Sequence, residues 1–156
     1  MAGKKETKLI AKNRSAYHEY EILEKFEVGI VLSGTEVKSL RENNCQITDS
    51  FAIIRNGEAW LMNVYIAPYS HGNIANVDSN RRRKLLLHKS QIRYLIGKTQ
   101  EGGHTLVPLA MYFDEQNRVK LALGLGKGKK LWDKRRDMAK RDSDREIRRE
   151  LKLKNQ

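Results

Sequence analysis

The sequence predicts a mainly β, α+β domain: six antiparallel strands in a barrel, two or three short helices outside it, and a basic C-terminal tail. Three observations carry that prediction. Apolar residues recur mostly at every second position in short runs, the period of a half-buried strand. Turn-rich, hairpin-like connections join the runs, not the long βαβ crossovers of parallel sheets. Near the end of the chain, apolar patterning gives way to charge.

Residues 1–12 are basic and lack apolar periodicity, so they read as a flexible lead-in. Residues 17–23 read as a strand of mixed alternation. It is followed by 26–32, where Gly29 suits a bulge or a close backbone approach. After Ser33-Gly34, Thr35 is placed to cap a short helix over 36–41, with Val37, Leu40 and Arg41 toward the core. Strands at 50–54 and 58–62 flank Asn56-Gly57, a strong hairpin cue. Residues 64–66 extend the second of these strands until Pro68. A surface loop over 69–80, rich in Ser, Asn, Gly and Asp, leads to Arg81-Arg82-Arg83-Lys84 and then Leu85-Leu86-Leu87-His88. Ile92, Leu95 and Ile96 recur at helical spacing from Lys89 to Gly97 or shortly beyond. Gly102-Gly103 turns the chain into a strand over 105–113. There Val107, Leu109, Met111 and Phe113 alternate with Leu106, Pro108, Ala110 and Tyr112, and Pro108 marks an edge or a bulge. After a four-residue loop at 114–117, Val119, Leu121, Leu123 and Leu125 share one face of the return strand.

Residues 124–156 hold 13 Lys/Arg against 6 Asp/Glu, or +7 of the chain's +12. Their apolar residues are too scattered to stabilise a helix by packing. Yet Asp137/Arg141, Asp144/Arg148 and Glu150/Lys154 stand at i,i+4 with the acid first, and Ser143 with Glu146 has the sequence spacing of a capping box, where a helix could break and restart. The tail therefore reads as loose when free and helical against a polyanion. A solvated charged helix with no partner is the plainer alternative. Trp132 favours the polyanion, because an aromatic among cations offers a face on which a base can stack.

A chain of 156 residues holds one domain plus this tail, and the rest is long enough to bury a core without staples. Its pI near 9.9 points to nucleic acid or an anionic membrane. The membrane is the weaker choice: no apolar run spans a bilayer, no signal-peptide core follows Met1, and the tail lacks the apolar face of an interfacial helix. Cys45 is alone, so no intramolecular disulfide forms and a reducing, cytoplasmic setting is expected. His18, His71, His88 and His104 show no metal-ligand spacing. Gly124-x-Gly126-x-Gly128-Lys129 fails as a Walker loop, since Lys130 stands where the hydroxyl belongs. Neither a nucleophile elbow nor a zinc-protease helix is present. Arg81 to Lys84 is too dense to pair with neighbouring acids, so it is either solvated or meets phosphates, and the charge of the whole domain favours phosphates. Two basic groups and a tail aromatic imply a large folded RNA; no helix resembles one that reads a DNA groove. An oligonucleotide-binding-like barrel is the natural class for such a domain, by an analogy that carries no function alone.

Several motifs then appear in order: Asn13-Arg14, His18-Glu19-Tyr20, Phe26-Glu27-x-Gly29-Ile30 and Gly34-Thr35-Glu36-Val37-Lys38-Ser39-Leu40-Arg41. They continue with Asp49-Ser50, Asn56-Gly57-Glu58, Arg83-Lys84-Leu85-Leu86-Leu87-His88, Gly128-Lys129-Lys130 and Asp133-Lys134-Arg135. From Asn13 to about Arg149 the chain resembles the small protein B family, the SsrA-binding proteins that partner transfer-messenger RNA (tmRNA) in bacterial ribosome rescue. The resemblance implies an adaptor without cofactor, metal or catalysis. Its barrel, over 13–125, would grip the tRNA-like domain of tmRNA and stand in for the missing anticodon arm. Its tail, over 126–156, would fold as a helix in the decoding centre and the empty mRNA channel. RNA contacts are implied at Asn13, Arg14, Glu27, Leu86 and His88, to which charge adds Arg81, Arg82, Arg83 and Lys84. Glu27 would accept from base amino groups and Leu86 would touch an unstacked base. Ribosome contacts are implied along Lys127, Lys129, Lys130, Trp132, Asp133, Lys134 and Arg135. Family members commonly carry Tyr or His where this chain has Trp132, so stacking transfers and a specific hydrogen bond does not. Implied partners are tmRNA, the small ribosomal subunit and, through the RNA, elongation factor Tu and alanyl-tRNA synthetase, with the chain itself a monomer. A constitutive ribosomal protein would account for charge, size and tail equally well; an RNA-processing enzyme would need a catalytic constellation that the sequence lacks.

Overall fold

Val119, Leu121, Leu123 and Leu125 are all buried, and their alternation makes β9 (Val119–Gly128) one wall of the core. The computed structural model describes residues 7–69 and 77–129. β9 lies between β2 (Tyr20–Ile30) and β8 (His104–Phe113). From β2 the sheet passes to β7 (Arg83–Leu86), β5 (Glu58–Met62) and β4 (Phe51–Arg55), then returns to β8. The result is the expected ring of six antiparallel strands with an oligonucleotide-binding-like arrangement. It is not a regularly closed barrel. β4 meets β8 where Ala52 faces Leu106, and β2 meets β7 through Gly29/Leu86 and Ile30/Leu85.

Residues 8–12 are not a flexible lead-in. They form β1 (Lys8–Lys12), antiparallel to β8, with Ile10 buried. Five residues with two lysines show too little periodicity to announce a strand, and the pairing comes from β8. Residues 17–19 are likewise not strand but part of α1 (Ala16–Glu19), whose single turn tucks Ala16 against Val107 and Leu109. That small cluster lies outside the ring because β8 carries a bulge between Pro108 and Ala110. The bulge reverses the strand's alternation, so Leu106, Met111 and Phe113 enter the main core while Val107 and Leu109 face α1. The single alternating face expected over 107–113 is thus split in two, at the proline that signalled a bulge.

α2 (Gly34–Arg41) is capped by Ser33, not Thr35. The Ser33 hydroxyl accepts from the Glu36 N–H at 3.3 Å and the Glu36 carboxylate accepts from the Ser33 N–H at 2.9 Å. The helix so capped buries Glu36, Ser39 and Leu40 on one face and leaves Arg41 in solvent, contrary to the expected core side. Residues 65–66 do not prolong β5. Asn63 adopts a left-handed φ of 62° and breaks the strand, and β6 (Tyr65–Ile66) pairs instead with β3 (Cys45–Gln46). The Asn56-Gly57 hairpin is as expected, with both residues at positive φ. α3 (Lys89–Gln100) sends Leu95 into the core and runs past Gly97.

Candidate nucleic-acid interface

Because Val28 and Ile30 of β2 point inward, Glu27 and Gly29 point out. Strand register then builds an outer row across five strands. Leu86 lies opposite Gly29, Gly29 opposite Lys120, Lys120 opposite Tyr112, and Tyr112 opposite Leu9. Glu27, Ala122, Ala110 and Lys12 form a second row. Glu27 and Leu86, distant in sequence, thereby share one outer face with the cations Lys12 and Lys120. Leu86 and Leu9, 53% and 56% exposed, put apolar surface at the two ends of the first row. Gly29 makes room for the Leu86 side chain: a Cβ there would stand 3.3 Å from Leu86 Cβ and Cδ1. An open groove of about 420 Å³ runs beside the row, lined by Leu86, Gly29, Val37, Lys120 and Arg118.

Glu27 is exposed and accepts a hydrogen bond from the Tyr112 hydroxyl. Burial, then this bond and the nearby Glu27 charge, push the Tyr112 phenol up to about 12. Glu27 is therefore an oriented carboxylate acceptor on a face that also carries Lys12 and Lys120, able to accept a hydrogen bond from an amino group such as a base presents. His88 is exposed where α3 begins, its N–H donating to Gln91 Oε1 at 3.1 Å. Arg14 is exposed ahead of α1.

Asn13 departs from expectation. It is 2% exposed, Nδ2 donates to the Pro108 carbonyl at 3.0 Å, and Oδ1 accepts from Ser15 Oγ at 3.0 Å. With its N–H on the Leu109 carbonyl, it bridges the bulge where β8 exchanges β4 for β1 as neighbour. Its side chain is tied inside and does not project toward a ligand.

The run Arg81 to Lys84 is not unpaired either. Arg83 is fully buried; Nε donates to Glu36 Oε2 at 2.6 Å, Nη1 to the carbonyls of Val64 and Arg81, and Nη2 to that of Ser79. No donor group of it is left at the surface for a phosphate. Arg81 pairs with the other oxygen of Glu36. Burial alone would raise the Glu36 pKa, but hydrogen bonds from Arg81, the Ser33 N–H and Arg83 outweigh it and hold the carboxyl below its usual range. Lys84 meets Glu58 at 3.2 Å with both ends open to solvent, and Arg82 lies over the Trp60 ring. The acids that partner this run sit 26 and more residues earlier in the sequence, which is why neighbouring residues did not reveal them. Its alternation, Arg83 and Leu85 in, Lys84 and Leu86 out, is the signal that could have. Lys120, which shares the outer face with Glu27 and Leu86, drew no notice for a related reason: one lysine between Val119 and Leu121 looks like an ordinary solvated strand position.

Lys127 belongs to β9, and Lys129 continues it, its N–H donating to the Glu19 carbonyl at 3.0 Å. The barrel therefore extends beyond the expected boundary at 125. Lys130, Trp132, Asp133, Lys134 and Arg135 lie outside the described residues. Among the described residues no His/Cys/Asp/Glu group could hold a metal ion, and no helix is long and apolar enough to cross a membrane. Cys45 is partly buried, which raises its thiol to about 11 despite the opposing charge of Arg83.

The model of the SmpB protein family matches residues 10–153. The chain is similar to an SsrA-binding protein of Carboxydothermus hydrogenoformans, 57% identical over 145 residues that make up 93% of this chain and 97% of the relative. The SsrA-binding protein of Pelobacter propionicus is 54% identical over 148 residues, 95% of this chain and 97% of the relative. That of Mycobacterium leprae is 53% identical over 143 residues, 92% and 89%. A solved chain from a structure described as "tmRNA-SmpB: a journey to the center of the bacterial ribosome" is 55% identical, with a TM-score of 0.65 over 78% of this chain and 85% of that chain.

Proposed function

The chain belongs to the SmpB protein family, and from that premise we propose that it is the adaptor that binds tmRNA and delivers it to stalled ribosomes in trans-translation, where incomplete peptides are tagged for degradation. The observation that supports a site for this role is the outer row from Leu86 through Gly29 and Lys120 to Tyr112 and Leu9. Lys120 and Lys12 would neutralise phosphates of the tRNA-like domain, Leu86 and Leu9 would pack on unstacked bases or sugars, and Glu27 would accept from a base amino group. Arg14 and His88 flank this surface in our reading. Asn13 acts indirectly, by fixing the backbone ahead of Arg14. The protein works as a cytoplasmic, monomeric adaptor without catalysis. Elongation factor Tu and alanyl-tRNA synthetase join through the RNA, and residues 130–156, Trp132 included, serve the decoding centre and mRNA channel.

The test is binding of purified tmRNA to the full chain across a salt series. Leu86→Asp and Lys120→Ala should each weaken binding without a large change in melting temperature, and Lys120→Ala should also flatten the salt dependence by about one counterion. Full affinity in both variants would exclude this face. Equal abundance on every ribosome, without enrichment of tmRNA, would favour a constitutive ribosomal protein.

A further inference from the structure

Beyond Leu86, the outer face of β4, β5 and β7 is not used by the site described above. Alternation turns Ala52, Ala59, Leu61, Arg83 and Leu85 inward, so Phe51, Ile53, Trp60, Met62 and Lys84 turn out. Register places Ile53 opposite Trp60 and Trp60 opposite Lys84, while Phe51 faces Met62 and Arg55 faces Glu58. The guanidinium of Arg82 lies 4.5 Å from the centre of the Trp60 ring. Phe51 is 42% exposed at one edge. Three cations, Arg55, Arg82 and Lys84, stand here against one acid, Glu58, which Lys84 contacts at 3.2 Å.

The stacked pair in itself stabilises the fold only modestly. Its geometry matters more. Arg82 is exposed and its guanidinium lies over the Trp60 ring, so the ring shields it from one direction while it stays open to water from others. A guanidinium is planar and weakly hydrated, and it stacks on aromatic faces through either side. The buried Arg83–Glu36 pair next to it pins β7, which keeps Arg82 over the ring. A flat cation backed by an aromatic suits a nucleobase, and the flanking cations suit its phosphates. A carboxylate-rich peptide would use the charge and the edge of the guanidinium but leave its open face unused.

We propose that this face is a second RNA-contact surface, on which Arg82 is sandwiched between Trp60 and a base of an unpaired strand while Lys84 and Arg55 meet flanking phosphates. It does not depend on the assignment of the Leu86–Lys120 face.

The chain has two tryptophans, so Trp132→Phe leaves Trp60 as the sole reporter in the full-length protein. A single-stranded oligoadenylate about 12 nucleotides long should alter Trp60 emission on binding. Arg82→Ala should weaken that binding about tenfold, the loss of one stacked base. Arg82→Lys keeps the charge without the plane and should bind nearly as weakly as Arg82→Ala. Lys120→Ala should weaken tmRNA binding yet leave the Trp60 response intact, which separates this surface from the first. Unchanged affinity in Arg82→Ala would overturn the proposal, as would full rescue by Arg82→Lys, which would reduce the site to charge. A polyglutamate of similar length that evokes the same emission change would assign the face to acidic protein segments. A Trp60 response abolished by Lys120→Ala would mean that the oligonucleotide is held on the other face.

Discussion

Arg83 and Glu36 form a 2.6 Å ion pair in which neither side chain is more than 4% exposed. Burying two charges is costly, and the pair is tolerated because Arg83 also donates to the carbonyls of Val64, Ser79 and Arg81, while Glu36 caps α2 and holds Arg81. One cluster thus joins α2, β7 and the chain on either side of residues 70–76. Removing the acid alone strands a buried guanidinium. Glu36→Ala should therefore destabilise the fold by about 3–5 kcal/mol, measured by urea denaturation. A loss below about 1 kcal/mol, the range of exposed pairs, would mean that water replaces the carboxylate.

Acid should reach the same cluster. The Glu36 carboxyl titrates below its ordinary value of 4.5 because hydrogen bonds from Arg81, the Ser33 N–H and Arg83 overcome the opposing effect of burial. A depressed folded-state pKa contributes stability that is complete above the unfolded value and is lost as pH falls through the folded one. Stability of the native chain should accordingly decline from about pH 4.5 downward, and the Glu36→Ala variant should show a shallower decline over the same window. Parallel curves would place the acid sensitivity in other carboxylates.

Gly29 separates packing from recognition. An alanine Cβ there would stand 3.3 Å from Leu86 Cβ and Cδ1, closer than ordinary contact. Leu86 is half exposed and its Cδ1 can swing away, but Leu86 Cβ moves only with the β7 backbone, so Gly29→Ala should lower the melting temperature modestly. The displaced Leu86 should also lower tmRNA affinity. Melting and RNA binding measured on one preparation decide it: an early melt with normal affinity would make the glycine a packing device alone.

The contrast between Gly29 and Arg83 shows which parts of the molecule were legible in the sequence. The Asn56-Gly57 hairpin, the alternation of Val119 to Leu125 and the spacing of Ile92, Leu95 and Ile96 are local patterns, and each forms the element it suggests. Arg83 looked like one of four free cations because its partner lies 47 residues earlier. Leu109 concealed the division of the core, since a bulge reverses alternation without changing composition. Glu27 and Leu86 came from family resemblance, and their placement on one face is a matter of register between strands that meet far along the chain. Lys120 required that register before it could be noticed at all.

The last prediction concerns where the barrel ends and the tail begins. Gly126 and Lys127 pair with both β2 and β8, Gly128 pairs with β2, and the Lys129 N–H donates to the Glu19 carbonyl. A chain cut after Leu125 would strip these contacts from two strands and should lose stability. A chain cut after Lys129 keeps them and should retain tmRNA affinity. Both truncations should fail to support peptide tagging on ribosomes stalled without a stop codon, if the cation-rich tail serves the decoding centre. Trp132→Ala refines the test by deleting one stacking face, worth roughly 1–3 kcal/mol for a single base. It should bind tmRNA normally and tag poorly, while Trp132→Tyr, which restores an aromatic ring, should recover most tagging. Normal tagging by Trp132→Ala would remove the stacking role. Reduced tmRNA affinity in that variant would instead move the tail's partner from the ribosome to the RNA that the barrel carries.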